Sequence, residues 1–99
     1  MEDPTQVDPN HYKVEFENDQ VRVLRITYGP HEKSVMHEHP ASVWVSLTDE
    51  HMKFTLPDGE TKESHGKVGE TGWDCAQKHL PENLSDQAFE TILVEMKTN

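Results

Sequence analysis

The sequence predicts one all-β domain, an antiparallel barrel or jelly roll. Three observations carry that expectation: apolar and polar residues alternate over short segments, turn residues recur at intervals of roughly 8–12 residues, and helical periodicity is weak throughout. A chain of 99 residues has room for a single core.

Taken in order, residues 1–10 hold two prolines, three acids and almost nothing apolar, and read as an irregular N-terminal arm. The domain proper spans residues 11–97. Tyr12, Val14 and Phe16 alternate with Lys13 and Glu15, which places the three apolar residues on one strand face. Val21 to Tyr28 is rich in β-branched residues and stops at Gly29-Pro30, a turn pair. Val43, Val45 and Leu47 alternate with Trp44 and Ser46. Met52, Phe54 and Leu56 alternate up to Pro57-Asp58-Gly59, a strong turn tripeptide. Glu60 to Ser64 is a polar strand candidate, and Gly66 and Gly69 bracket another turn. Phe89 to Met96 closes the chain with Ile92, Val94 and Met96 on one face. About eight short strands at this spacing fit a sandwich or barrel, and closure hides the sheet edges of so short a chain.

Composition narrows the function classes. Only 32% of residues are apolar and 28% are charged, so the core is economical. The formal charge is −10, from 9 basic and 19 acidic side chains. Phosphate binding needs clustered Lys and Arg, and here they are scattered, so neither nucleic acid nor an anionic membrane is an expected partner. No apolar run approaches the roughly 20 residues of a membrane span. The N-terminus is acidic, without the apolar stretch of a secretory signal. The single cysteine, Cys75, excludes an internal disulfide framework. A cytoplasmic protein is the expectation.

The chemistry lies with the histidines, of which there are 7. His37 and His39 form H-x-H, and in a strand residues i and i+2 face the same way, so their imidazoles can share an ion. His79 falls on a later strand that a barrel can bring opposite them. Spacing alone does not separate such a site from hydrogen-bonded surface histidines. His11, His31, His51 and His65 sit near turns or strand ends among charged residues and read as surface histidines.

With these residues in view, the sequence resembles the cupin superfamily, specifically its small single-domain bacterial members, over residues 11–97. The first cupin motif reads G, five residues, H-x-H, three or four residues, E, six residues, G. His37-Glu38-His39-Pro40 supplies its H-x-H. In the second motif Gly69, His79 and Asn83 match. The departures are specific. His31 stands at the first glycine, Glu50 at the closing glycine, and Cys75 and Gln77 at the second motif's Pro and Gly. Val43, or Trp44 at the longer spacing, stands where the metal-binding Glu belongs.

The resemblance implies a cupin-type barrel holding a divalent transition metal (Fe, Mn, Ni, Cu or Zn) at His37, His39 and His79. Three neutral imidazoles leave the full +2 charge on the ion and favour an anionic chelating ligand. Val43 is expected beside the metal. If residues 73–79 stay extended, Trp73, Cys75 and Gln77 share the side of His79 and line the pocket. Cys75 is then an extra ligand, a reactive thiol or a small buried hydrophobe, and Gln77 a weak fourth ligand or a hydrogen-bond donor to substrate. The leading expectation is a three-histidine, dioxygenase-like enzyme acting on a small organic molecule. The alternative is a non-catalytic small-ligand binding or sensing protein without metal. Small cupins commonly pair, so a homodimer is expected, with the N-terminal segment adding a strand to the partner.

Overall fold

The computed structural model describes residues 2–97. In chain order its elements are α1 (Pro4–Val7), β1 (Tyr12–Glu17), β2 (Val21–Tyr28), β3 (His37–His39), β4 (Ser42–Ser46), β5 (Glu50–Thr55), β6 (Thr61–Gly66), β7 (Thr71–Asp74), β8 (Gln77–Asn83) and β9 (Phe89–Met96). The strands form two antiparallel sheets, β1-β2-β9-β4-β7 and β3-β8-β5-β6. This is the expected all-β jelly roll.

The backbone of the larger sheet is the β2–β9 ladder, paired without interruption from Val21↔Met96 to Tyr28↔Phe89. Both strands are rich in β-branched residues, which suit a pleated surface. Their inward positions carry Leu24, Ile26, Tyr28, Phe89 and Leu93, which join Tyr12 and Met52 in the core. Trp44 and Phe54 pack against that cluster from its edge. The β5–β6 hairpin turns at Pro57-Asp58-Gly59, where Gly59 takes φ 90° and the Asp58 carboxylate accepts from Glu60 N at 2.9 Å. A positive φ there favours glycine.

Three local expectations are corrected. The N-terminal arm is not wholly irregular. Asp3 caps a helical turn by accepting from Thr5 N at 2.9 Å, with Pro4 pre-set at the first helical position and buried. The arm is tied to the barrel by Glu38 N donating to Glu2 O at 2.8 Å. Next, Tyr12, Val14 and Phe16 do not share a face. The register jumps from Val14↔Leu24 to Phe16↔Val23, so a bulge at Glu15 turns Phe16 outward. Last, β4 is inverted. Ser42 and Ser46 are its buried residues, and Val43 and Val45 face the outside of the sheet.

Candidate metal centre

His37 and His39 occupy β3, a three-residue strand that ends at Pro40, which has no N–H to continue a ladder. His37 pairs directly with His79 across to β8, and His39 pairs with Gln77. Period-2 alternation and this register bring the three rings to one point. Their centroids lie 4.8, 5.0 and 5.2 Å apart, and one ring nitrogen from each falls within 4.8 Å of the others. All three residues are buried, His37 completely.

The hydrogen bonds define which nitrogens are free. His37 Nδ1 faces the carbonyl of Val35 at 2.8 Å, so it donates and Nε2 keeps its lone pair. His39 Nδ1 donates to the Glu95 carboxylate at 2.7 Å, and its Nε2 likewise keeps a lone pair. These two Nε2 atoms face each other at 3.1 Å. Two acceptors at that distance repel unless a cation lies between or beside them. Both ring nitrogens of His79 are buried with no hydrogen-bond partner, an arrangement costly for a polar group. Two nitrogens bonded to one ion at about 2.0–2.1 Å are themselves about 3–3.5 Å apart. The donor set, its lone pairs and its orphaned third imidazole therefore fit a divalent transition ion.

Electrostatics point the same way. Burial, then the neighbouring His39, pushes the His37 pKa down to about 4. Burial, then His39 and His37, pushes His79 down to about 3. At neutral pH both rings are uncharged, the form that ligates metal.

Behind His39 runs a chain of charges that the sequence reading missed. Glu95, on β9 and almost fully buried, accepts from His39 on one oxygen and from Arg22 Nε at 2.7 Å on the other. Arg22 in turn donates to both oxygens of Asp3 at 2.9 and 3.1 Å. Burial alone would raise the Asp3 carboxyl, yet the bonds from Arg22 and Thr5 hold it below its ordinary value. The arm contributes on the other side as well. Ser34 Oγ donates to Asp8 and lies 3.5 Å from His37 Nδ1. The carboxylate–histidine pair fixes the ring and its tautomer, as outer partners of metal ligands do.

A cavity of about 350 Å³ opens beside His39 and His79. Trp44, Phe54, Phe89 and Leu93 supply apolar wall, Ser42, Gln77 and Asp74 supply polar groups, and Tyr12 and Tyr28 lie deep within it. The two phenols share a 2.6 Å hydrogen bond, and burial raises the pKa of each, so both stay protonated. Tyr12 also packs its ring 4.7 Å from His37.

The other expected pocket residues divide. Gln77 lines the cavity. Val43 does not, because it pairs with Trp73 and Val94 on the outer face. Trp73 and Cys75 are exposed. The chain bends at Cys75-Ala76 as it passes between sheets, so the assumed extended run from 73 to 79 is broken and its parity is lost. Trp44, at the longer motif spacing, is the residue that faces inward where a carboxylate was sought. Its indole lies across Gly72, where a Cβ would meet the ring at 2.3 Å.

His31, in place of the motif's first glycine, has φ 59°, the left-handed region that glycine enters freely. Asn83 is a loop clasp, donating to Gly29 O at 3.0 Å and Gln87 O at 2.8 Å. Of the remaining histidines, His31 and His65 are exposed and His51 is half-buried. His11 is less ordinary: it lies between Asp8 (2.7 Å) and Glu32 (3.0 Å) and stacks on Tyr28.

No family model matches the sequence, and no curated protein matches it. Solved structures do. A cupin domain from Bordetella pertussis Tohama I superposes with a TM-score of 0.81 at 24% identity, over 88% of this chain and 92% of that one. A double-stranded β-helix protein from Klebsiella pneumoniae gives 0.69 at 20% identity, over 89% and 76%. An RmlC-like cupin family protein from Methanocaldococcus jannaschii gives 0.65 at 19% identity, over 90% and 83%.

Proposed function

Starting from a chain that has the small single-domain cupin fold, we propose that it is a metal-dependent protein whose three-histidine centre acts on a small organic molecule, in an oxygenase-like reaction. The supporting observation is the pair of Nε2 lone pairs at 3.1 Å beside a third imidazole with no partner at all. When bound, a divalent ion such as Fe, Mn, Ni, Cu or Zn supplies an undiminished +2 charge and open positions for an anionic donor.

The chain's own residues do the rest. Val35 O and Glu95 hold His37 and His39 in the tautomer that turns Nε2 toward the centre. Arg22 holds Glu95 in place, so the carboxylate orients a ligand rather than becoming one. Trp44, Phe54 and Phe89 exclude water along the cavity wall and accept the apolar body of a small molecule. Tyr12 and Tyr28 spend one hydroxyl proton on each other, which leaves the second phenol a proton to donate.

A second reading, ligand binding without turnover, is favoured by a candidate ligand set that, among the described residues, holds three imidazoles and no carboxylate. Elemental analysis of protein purified without a histidine tag separates success from failure. The expected result is about one transition-metal ion per chain, lost in His79→Ala. Folded wild type free of metal even after incubation with Fe, Mn, Ni, Cu or Zn salts would refute the metal-dependent proposal.

A further inference from the structure

We infer that His51 and His65 form a second metal site, on the outer face of the smaller sheet, for a copper, nickel or zinc ion. The two residues are direct partners across β5 and β6, and β6 is the edge strand of that sheet. Their neighbours Met52 and Ser64, also direct partners, turn toward the cavity. By strand alternation His51 and His65 turn away from it, so this pair is separate from the buried centre. Their rings stack, with centroids 4.1 Å apart and planes 18° from parallel.

Backbone hydrogen bonding explains the close approach. His51 O accepts from Leu84 N at 2.9 Å, on the side of β5 away from β6. The N–H and C=O of one residue leave a strand on the same side, so His51 and His65 are a non-hydrogen-bonded antiparallel pair. Such pairs have Cα atoms only about 4.5 Å apart and the closer side chains. Two imidazoles rooted this near can each reach one ion at about 2.0–2.1 Å. Glu63, two residues from His65 and on the same face, accepts from His51 Nε2 at 2.9 Å. That bond fixes the tautomer and leaves the Nδ1 lone pair for an ion. Lys53, directly opposite Glu63, does not compete for it, because its ammonium lies 3.7 Å from Glu82. His65 is exposed and its ring makes no hydrogen bond among the described residues. Lone pairs lie in the ring plane, so His65 turns out of the stack to aim its own at the same ion.

The ligand type selects the ion. Imidazole suits copper, nickel and zinc, with copper(II) bound most tightly of the three. Magnesium and calcium, which take oxygen ligands, are excluded. The chain's charge of −10 favours a cation near its surface. Two protein ligands leave coordination positions open to water or to a small anion. An ion held by two side chains in solvent exchanges readily, so the site fills from added metal.

The experiment is a calorimetric titration of the full chain with copper(II) near neutral pH, alongside His51→Asn and His65→Asn. Circular dichroism verifies the folds, and His51→Gln replaces His51→Asn if that variant does not fold. Wild type should take up one more copper(II) per chain than either variant, whatever the buried centre contributes. In each variant the Kd for that equivalent should rise about 10-fold or more, since one of two ligands is gone. Copper(II) should broaden the NMR signals of both residues, and magnesium should leave them unchanged. Equal copper uptake by wild type and both variants would overturn the site. Loss in one variant only would reduce it to a lone imidazole and overturn the pair. His79→Ala should keep this equivalent, and its loss there would overturn a site separate from the buried centre. Glu63→Ala should weaken binding about 10-fold, as the loss of an outer partner does. Unchanged affinity in that variant would overturn the part given to Glu63.

Discussion

At the scale of single residues, the centre is an arrangement of lone pairs, and Glu95 is the residue on which it turns. It is almost fully buried and bonded to both His39 and Arg22. Removing it takes one of two carboxylate partners from the half-buried Arg22, which keeps Asp3, and frees the His39 ring. Glu95→Ala should lower metal affinity about 10–100-fold and cost about 1–3 kcal/mol of stability, as the loss of a buried hydrogen-bond partner does. Glu95→Gln, which still accepts from His39, should keep more of the affinity than Glu95→Ala. Titration with a competing chelator and chemical denaturation measure the two effects. Equal affinity in wild type and Glu95→Ala would show that the carboxylate does not orient His39. Glu95 escaped the sequence reading because one acid in an alternating strand looks like a solvent-facing residue. Its partner Arg22 is 73 positions away. The clue was parity: with Ile92, Val94 and Met96 on one face, Glu95 belongs to the other, beside Leu93.

At the scale of elements, strand parity decides what reaches the cavity. Gly72 on β7 makes room for the Trp44 indole opposite it on β4, and its Cβ-to-ring approach would be 2.3 Å. Gly72→Ala should therefore push the indole aside, cost about 1–3 kcal/mol as overpacking does, and change the Trp fluorescence. An unchanged melting temperature and spectrum would mean that β7 yields at no cost. Val43 provides the complementary case. Because it faces outward between Val94 and Trp73, Val43→Glu should leave metal content unchanged, since its carboxylate cannot reach the histidines. Metal bound more tightly in Val43→Glu would contradict the β4 register. Alternation told that Val43, Val45 and Leu47 differ from Trp44 and Ser46, but it did not tell which set faces in. Hydrophobicity suggested the valines, whereas a ligand cavity favours serines on its wall and an apolar outer sheet face takes the valines.

For the whole molecule, the buried histidines couple stability to pH. An imidazole in the unfolded chain titrates near 6.5, and in the folded metal-free protein His37 and His79 titrate near 4 and 3. Below about 6.5 the unfolded chain takes up protons that the folded state refuses, so acid favours unfolding. The stability from these groups is fully present above about pH 6.5. It falls progressively with acidification until the folded-state values near 4 and 3 are passed. Melting temperatures of metal-free wild type and His79→Phe between pH 7 and 4 check this. The wild type should lose more stability than the variant, and parallel curves would exclude His79 as a contributor.

Two kinds of information met in this protein. The sequence by itself determined the all-β class and the turn at Pro57-Asp58-Gly59, because each rests on local chemistry, side-chain alternation or backbone freedom, while His37, His39 and His79 were joined by the family resemblance and not by their spacing alone. The tertiary structure alone decided which strand face is inside, that a bulge turns Phe16 outward, that a bend at Cys75-Ala76 breaks the line from Trp73 to His79, and that Asp3, Arg22 and Glu95 align behind His39. Those outcomes depend on register and on contacts between residues far apart in the chain. A one-residue shift of pairing flips every side chain to the opposite face, and local composition carries no record of which register the packed sheets adopt.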